Sequence, residues 1–420
     1  MNKALLFRNA YSILLVLIAF TLPTKWMQLN SILILCSLGV YLVEPGLKAR
    51  LNMAFRDRHV LVFCSIYLLY VISLLWTENF SRGFSQLEIR FSLLVLPFLI
   101  LSYTKIEKEN FEQILTSFLV ACLFFSLVCL VFTIYTNQIN GVEYAYYNSW
   151  HYSSDSLVKE FGFHPSYFSI YCAFSIFIVI FFVKEKKIGP LVGIFLSLYL
   201  IGFQLLLAAR GGVLATMAIV ILTILYEAWL IKKILIGLVI IGGFTALLIF
   251  SVLQFDILTD KFKGMINYEI YEYNERFQLT MRFQKWESAW TLFTRNPVLG
   301  VGIGDSKEEL LEVYLEKGYI DLHRFEYNAH NLVLDTAITI GIVGVLALIV
   351  VFYFSTRIAI RDRNILYMQF LFLFLSLSLV EATFSVQKGV VLFSFFNFLF
   401  IANSNARRKA SVINIENPTR

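Results

Sequence analysis

Charge is what this sequence has least of. Only 15% of its 420 residues are Asp, Glu, Lys or Arg, while 58% are hydrophobic. A soluble domain carries about a quarter charged residues. With a mean hydropathy of +0.72, this composition excludes an ordinary soluble domain and predicts a polytopic membrane protein. Cysteine is scarce as well. Cys36, Cys64, Cys122, Cys129 and Cys172 all fall in apolar runs, none lies in an outer loop, and no C-x-x-C spacing occurs. Neither a disulfide framework nor a cysteine-based metal or redox centre is expected. There is no D-x-D pair, and His151, His164 and His323 lack ligand spacing to one another, so no dedicated metal site is predicted. Internal repeats and low-complexity tracts are also missing. No small-residue cleavage site follows the first apolar run, which is therefore expected to stay as a first span.

What is present is a succession of apolar runs. A membrane-crossing helix needs about 20 mostly apolar residues. Twelve spans are expected, near 9–23, 27–44, 59–76, 90–103, 112–136, 164–183, 189–208, 212–230, 234–253, 330–355, 364–381 and 388–403. Lys and Arg gather in alternate loops: Lys48 to Arg58, Lys105 and Lys108, Lys184 to Lys187, Lys232 and Lys233, Arg357 to Arg363, and Arg407 to Lys409. Basic loops stay inside, so both termini are expected in the cytoplasm, and the net charge of +6 reflects topology and does not imply nucleic acid. The expected layout is all-α: residues 1–253 carry spans one to nine, 254–329 form a large, partly helical outer loop, 330–406 carry the last three spans, and 407–420 are a cytoplasmic tail. A loop of that length usually marks function. Within it, "MRFQKWESAWTLFTR" has helical periodicity and Asn296-Pro297 ends the helix.

Several residues stand out against this background. His330 sits where the tenth span begins, and Gly341 and Gly344 follow at eleven and fourteen residues. On a continuous helix they return to within roughly 20° and 40° of the His330 azimuth, which predicts one close-packed face pointing into the protein. A histidine there can act as a base. An interfacial histidine that only hydrogen-bonds nearby backbone is the alternative. Arg210 breaks a long apolar run as "AARGG", on a tight outer turn. It is either a functional cation at membrane depth or a snorkelling side chain. Arg282 and Trp286 are four apart and share a helix face. Most other loop cations, Lys285 among them, read as solvated charges. "GVGIGD" at 300–305 lacks the Lys-Ser/Thr of a phosphate loop and reads as a tight turn. The outer tyrosine-rich stretches fit an interfacial aromatic belt or sugar stacking. Arg90, Glu227, Asp335 and Glu381 fall near span ends.

Taken together, these motifs resemble the O-antigen ligase family. His330-Asn331, nine residues, Gly341, two residues and Gly344 match its H-[NSQ]-x9-G-x-x-[GTY] pattern. "RFQKWESAWTLFTRNPVLGVGIGD" and "AARGG" are similar to its upstream segment and its arginine turn. The resemblance implies an inverting, metal-independent glycosyltransferase without a cofactor. Its donor would be an undecaprenyl-diphosphate-linked glycan and its acceptor lipid A–core, at the periplasmic face of the bacterial inner membrane. His330 would be the base, Arg210 and Arg282 would bind the diphosphate, and Asn331, Gly341, Gly344 and Trp286 would support them. O-antigen polymerases and protein O-oligosaccharyltransferases share much of the pattern and stay open as alternatives. A transporter or flippase would favour charges deep in several spans and a repeat between halves. A cell-wall scaffold would not explain the His and Arg set.

Overall fold

The computed structural model describes residues 3–24, 26–102, 107–139, 155–235, 238–239, 242–243 and 274–416. Every regular element among them is helical. Among the described residues seven helices are long and apolar enough to cross a membrane, and the bent pair Gln28–Val43 and Leu47–Arg56 would make an eighth. Phe7–Thr21, Pro190–Leu206 and Ile365–Ser378 are shorter apolar helices. The expected all-α membrane architecture is thus borne out, while the count of twelve is met only in part. Most of the ninth expected span, and residues 254–273 of the expected loop, lie outside the described residues.

Two elements differ from expectation in instructive ways. The basic stretch after the second span is a helix, turned by 112° from the one before it. Gly46 makes the turn at φ +90°. The buried Arg50 then reaches back to the carbonyls of Tyr41, Glu44 and Pro45 at 2.6, 2.9 and 2.8 Å. A cation here satisfies orphan carbonyls at the negative end of the preceding helix. The fourth span starts at Phe80 and not near 90, as helices Phe80–Arg90 and Ser92–Ser102. The last helix runs on to Glu416, past the expected start of the tail.

The core forms around two helices. In Pro165–Lys184 and Gln387–Arg408, 78% and 83% of the apolar window is buried, against 22–50% in the other candidate spans. Phenylalanine fills the space between them. The Phe174 ring meets Phe396 edge to face at 4.8 Å and Phe370 at a tilt at 5.1 Å. Around this core, the first residues of Pro165–Lys184 and Arg210–Leu230, the turn before Leu332–Arg361 and the last residues of Ile365–Ser378 converge on one cavity. The opposite helix ends carry the basic residues that define the expected inner loops, many of them ion-paired: Lys184 with Glu227, Lys108 with Glu185, Lys187 with Glu112 and Arg408 with Asp362.

Candidate active site

The cavity has a volume of about 460 Å³, and its wall includes His330, Arg210 and Arg282. Three residues chosen from distant parts of the sequence therefore meet. Each is held by a different local device.

Arg210 is the first residue of its helix, after a turn in which Ala208 takes φ +49°. Gly212 makes this approach feasible, since a Cβ there would stand 2.1 Å from Ser169 Oγ. Gln204 locks the corner by donating to Ser169 Oγ at 3.0 Å and Thr216 Oγ1 at 2.8 Å. A helix start already offers partial positive charge and free N–H groups. Adding an arginine intensifies the preference for an anion. Arg282 and Lys285 come from helix Asn274–Arg295, three residues apart on one face.

His330 departs from the expected geometry. It is not on the helix: its φ is +45°, and the helix starts at Leu332. Asn328 Oδ1 accepts the His330 N–H at 3.0 Å and so holds the turn. Asn331 is the N-cap, accepting from Leu334 N at 3.0 Å while its amide donates to Leu379 O at 3.1 Å. The expected single face of His330, Gly341 and Gly344 does not exist either, because the helix breaks at Ile340 and Gly341. Gly341 takes φ +64° and ψ −162°, a conformation essentially reserved for glycine. A Cβ there would stand 2.1 Å from Val298 O. The carbonyls freed by the break are taken by the "GVGIGD" turn: Val301 N donates to Ile338 O at 2.9 Å and Gly302 N to Thr339 O at 3.0 Å, while Ile342 N donates to Pro297 O at 2.8 Å. Gly341 thus serves loop docking and not span packing. Gly344 makes room for the side chains of Ile340 and Thr336 on its own helix. Asp305 completes the docking by accepting from Glu78 N at 2.8 Å and Asn79 N at 2.9 Å. "GVGIGD" is a structural turn, as read.

Trp286 is not part of the cavity wall; its ring meets Phe283 at 5.9 Å.

Three residues that sequence reasoning passed over complete the wall: Glu381, Lys285 and His164. Glu381 lies in the turn after Ile365–Ser378, with an oxygen 3.3 Å from His330 Nδ1. Burial would raise its carboxyl, but the hydrogen bond from His330, with the charges of His330, His164 and Arg282, holds it below the usual carboxylate range. A proton on Nδ1 would face this carboxylate and leave Nε2 as the basic nitrogen, the logic of a carboxylate-oriented imidazole. Lys285 is buried, with Nζ 3.6 Å from the Tyr327 ring centre, and that ring lies 5.7 Å from His330. Burial, reinforced by Arg282 and opposed by Glu381, lowers its pKa to about 8. The signals were there to be read. Lys285 is one helical turn from Arg282, and Glu381 is a charge in an apolar run.

Residues 195–349 match the sequence model of the O-antigen ligase family. That bears out the O-antigen ligase resemblance. The matched region carries Arg210, Arg282, Lys285, His330 and both motif glycines, while His164 and Glu381 join the cavity from outside it. An uncharacterised protein of Haemophilus influenzae is 27% identical over 196 residues, which are 46% of this chain and 49% of that one. The chain thus spans about half the length of the curated relative it matches.

Proposed function

We propose that the protein is a membrane glycosyltransferase that moves a glycan from a polyprenyl-diphosphate donor to a sugar hydroxyl, with undecaprenyl diphosphate as the carrier and lipid A–core as the acceptor. The reaction belongs at the periplasmic face of the bacterial inner membrane, with the basic helix ends in the cytoplasm, twelve spans in all, and 254–329 as the periplasmic loop. The observation that carries this reading is the meeting of Arg210, Arg282 and Lys285 with the His330–Glu381 pair in one cavity beside apolar side chains.

The chemistry follows from the parts. His330 Nε2 takes the proton of the acceptor hydroxyl while Glu381 holds the ring through Nδ1. The hydroxyl oxygen bonds to the anomeric carbon as the bond from that carbon to the diphosphate oxygen breaks. The electron pair leaves with the diphosphate, where the planar guanidinium forks of Arg210 and Arg282 meet phosphate oxygens and strengthen as charge develops. Leu207, Leu214, Leu377 and Val380 in the same wall suit the start of a polyprenyl chain. No metal ion or cofactor is required in this scheme.

The test is transfer in vitro from a lipid-diphosphate glycan to three acceptors: lipid A–core, a growing polysaccharide and a peptide. Transfer to lipid A–core is expected. Preference for either other acceptor would shift the reading to a polymerase or a protein O-oligosaccharyltransferase. Arg210→Lys and Arg282→Lys should each lose most activity, chiefly in donor use, because lysine keeps the charge but loses the fork. Unchanged donor kinetics in both variants would overturn the diphosphate assignment.

A further inference from the structure

A second cavity lies on the other side of the segment that carries His330. Its volume is about 180 Å³. Successive side chains of the segment face opposite ways: Tyr327 and His330 line the first cavity, Glu326 and Asn328 the second. The turn after Ile365–Ser378 is shared in the same manner, with Glu381 in the first wall and Ser385 in the second. The His330 turn is therefore a thin partition between two polar chambers.

The second chamber has a built floor. Arg90 and Asp335, 3% and 9% exposed, stand 3.7 Å apart. Arg90 donates to Gln86 Oε1 at 2.7 Å and Ser385 Oγ at 2.8 Å, and the Ser385 hydroxyl donates to Asp335. Arg90 Nε is buried with no hydrogen-bond partner among the described residues. Lys307, more exposed and paired with Glu326, stands at the rim. The two cavities differ in kind. The first gathers Arg210, Arg282 and Lys285 around one carboxylate. The second wall holds Arg82, Arg90 and Lys307 with Glu326 and Asp335; Arg90 pairs with Asp335, Lys307 with Glu326, and Arg82 with Glu308, which stands outside the wall. With each of its cations engaged by a carboxylate, the chamber is a poor match for a diphosphate or for a cation. Carboxylate, guanidinium, amide and hydroxyl groups side by side offer mixed donors and acceptors, the complement of adjacent sugar hydroxyls. The volume falls below the roughly 300–1,000 Å³ of drug-sized pockets. It suits a single ring and not an oligosaccharide.

Resting on the reading above, we propose that this chamber is a subsite for one neutral sugar ring of the acceptor glycan. Displacement at an anomeric carbon brings the nucleophile in opposite the leaving group. The ring held here is then a neighbour of the one that reacts, since the attacking hydroxyl has to reach His330 in the first cavity.

Ser306 gives a handle, since it lines the chamber and its hydroxyl makes no hydrogen bond among the described residues. The experiment is saturation-transfer NMR on the full chain in detergent micelles, with D-glucose, D-galactose and N-acetyl-D-glucosamine as probes and inorganic pyrophosphate titrated separately. Wild-type protein should give a saturation-transfer signal with at least one sugar, undisturbed by pyrophosphate. Ser306→Trp, which fills the chamber, should lower that signal at least about tenfold (about 1.4 kcal/mol) while pyrophosphate still binds. Ser306→Leu serves if the Trp variant does not fold. No sugar signal in wild type, a signal that survives both variants, or one displaced by pyrophosphate would each overturn the subsite. Pyrophosphate binding without sugar binding removes this inference alone, whereas failure of wild type to bind pyrophosphate counts against the proposed function itself.

Discussion

The basic helix ends and the cavity that holds His330 differ in how their cations are matched by carboxylates. At the helix ends, cations meet carboxylates: Lys184 with Glu227, Lys187 with Glu112, Lys108 with Glu185 and Arg408 with Asp362. In the cavity, Arg210, Arg282 and Lys285 share a wall in which Glu381 is the carboxylate, and Glu381 is already engaged by His330. Exposed ion pairs contribute about 0–1 kcal/mol each. The first set therefore orients the chain and trims its charge but does no chemistry. The second gathers three cations in one wall beside the His330–Glu381 pair, an arrangement suited to an anionic ligand. The lesson is that the count of cations says little; their carboxylate balance separates anchoring from binding.

Four changes would break or sharpen this contrast. His330→Ala should cut glycan transfer by about 10²–10⁴-fold with expression and membrane insertion intact; near-normal transfer would remove His330 from the mechanism. Glu381→Gln keeps the shape but weakens the hold on Nδ1. A loss of about 10–100-fold is expected, the range for partners that orient a functional histidine, and it should appear in kcat more than in pyrophosphate affinity. Lys285 gives a pH signature. Its ammonium is intact below about pH 8 and is lost as pH rises through that value. Arg210, Arg282, His164, His330, Tyr327 and Glu381 share its cavity. Affinity for pyrophosphate should then fall at alkaline pH by up to about tenfold per unit, and Lys285→Arg, which stays charged, should flatten the fall. Equal pH profiles in the two proteins would remove Lys285 from the anion site. Smallest of all, Lys184→Met at the paired end should leave transfer unchanged and shift thermal stability by no more than about 1 kcal/mol.

How much of this was legible in sequence depended on the kind of cause. Apolar runs and the Lys and Arg asymmetry reveal a helical membrane protein because lipid imposes length and charge rules on each segment separately. Arg210 and His330 were legible as anomalies, each a polar group where an apolar run should continue or begin, whereas Arg282 was singled out by its helix face with Trp286 and by the family resemblance. Their meeting was legible only through that resemblance, because it depends on packing between segments tens of residues apart. Glu381 was hidden among charges near span ends, since nothing local says that its turn faces His330. The helical-phase argument for His330, Gly341 and Gly344 failed for a definite reason. It assumed one unbroken helix, whereas His330 precedes the cap and Gly341 ends the first segment. Glycine at that position signalled backbone conformation, and the same letter would have signalled close span packing.

The helix break also turns a sequence spacing into a length gauge. Asn331 caps the helix and is tied to Leu379, and Gly341 ends it against Val298. Between them run nine residues, Leu332 to Ile340, about 13 Å at 1.5 Å per residue. The docking at the far end is made by main-chain groups, so the side chains of Val301, Ile338 and Thr339 do not encode it. The number of residues does. Removing one would shorten the gauge by about 1.5 Å and rotate its ends by about 100°, so that the cap and the break could no longer both be seated. Substitutions along this stretch should be forgiven far more readily than a single insertion or deletion.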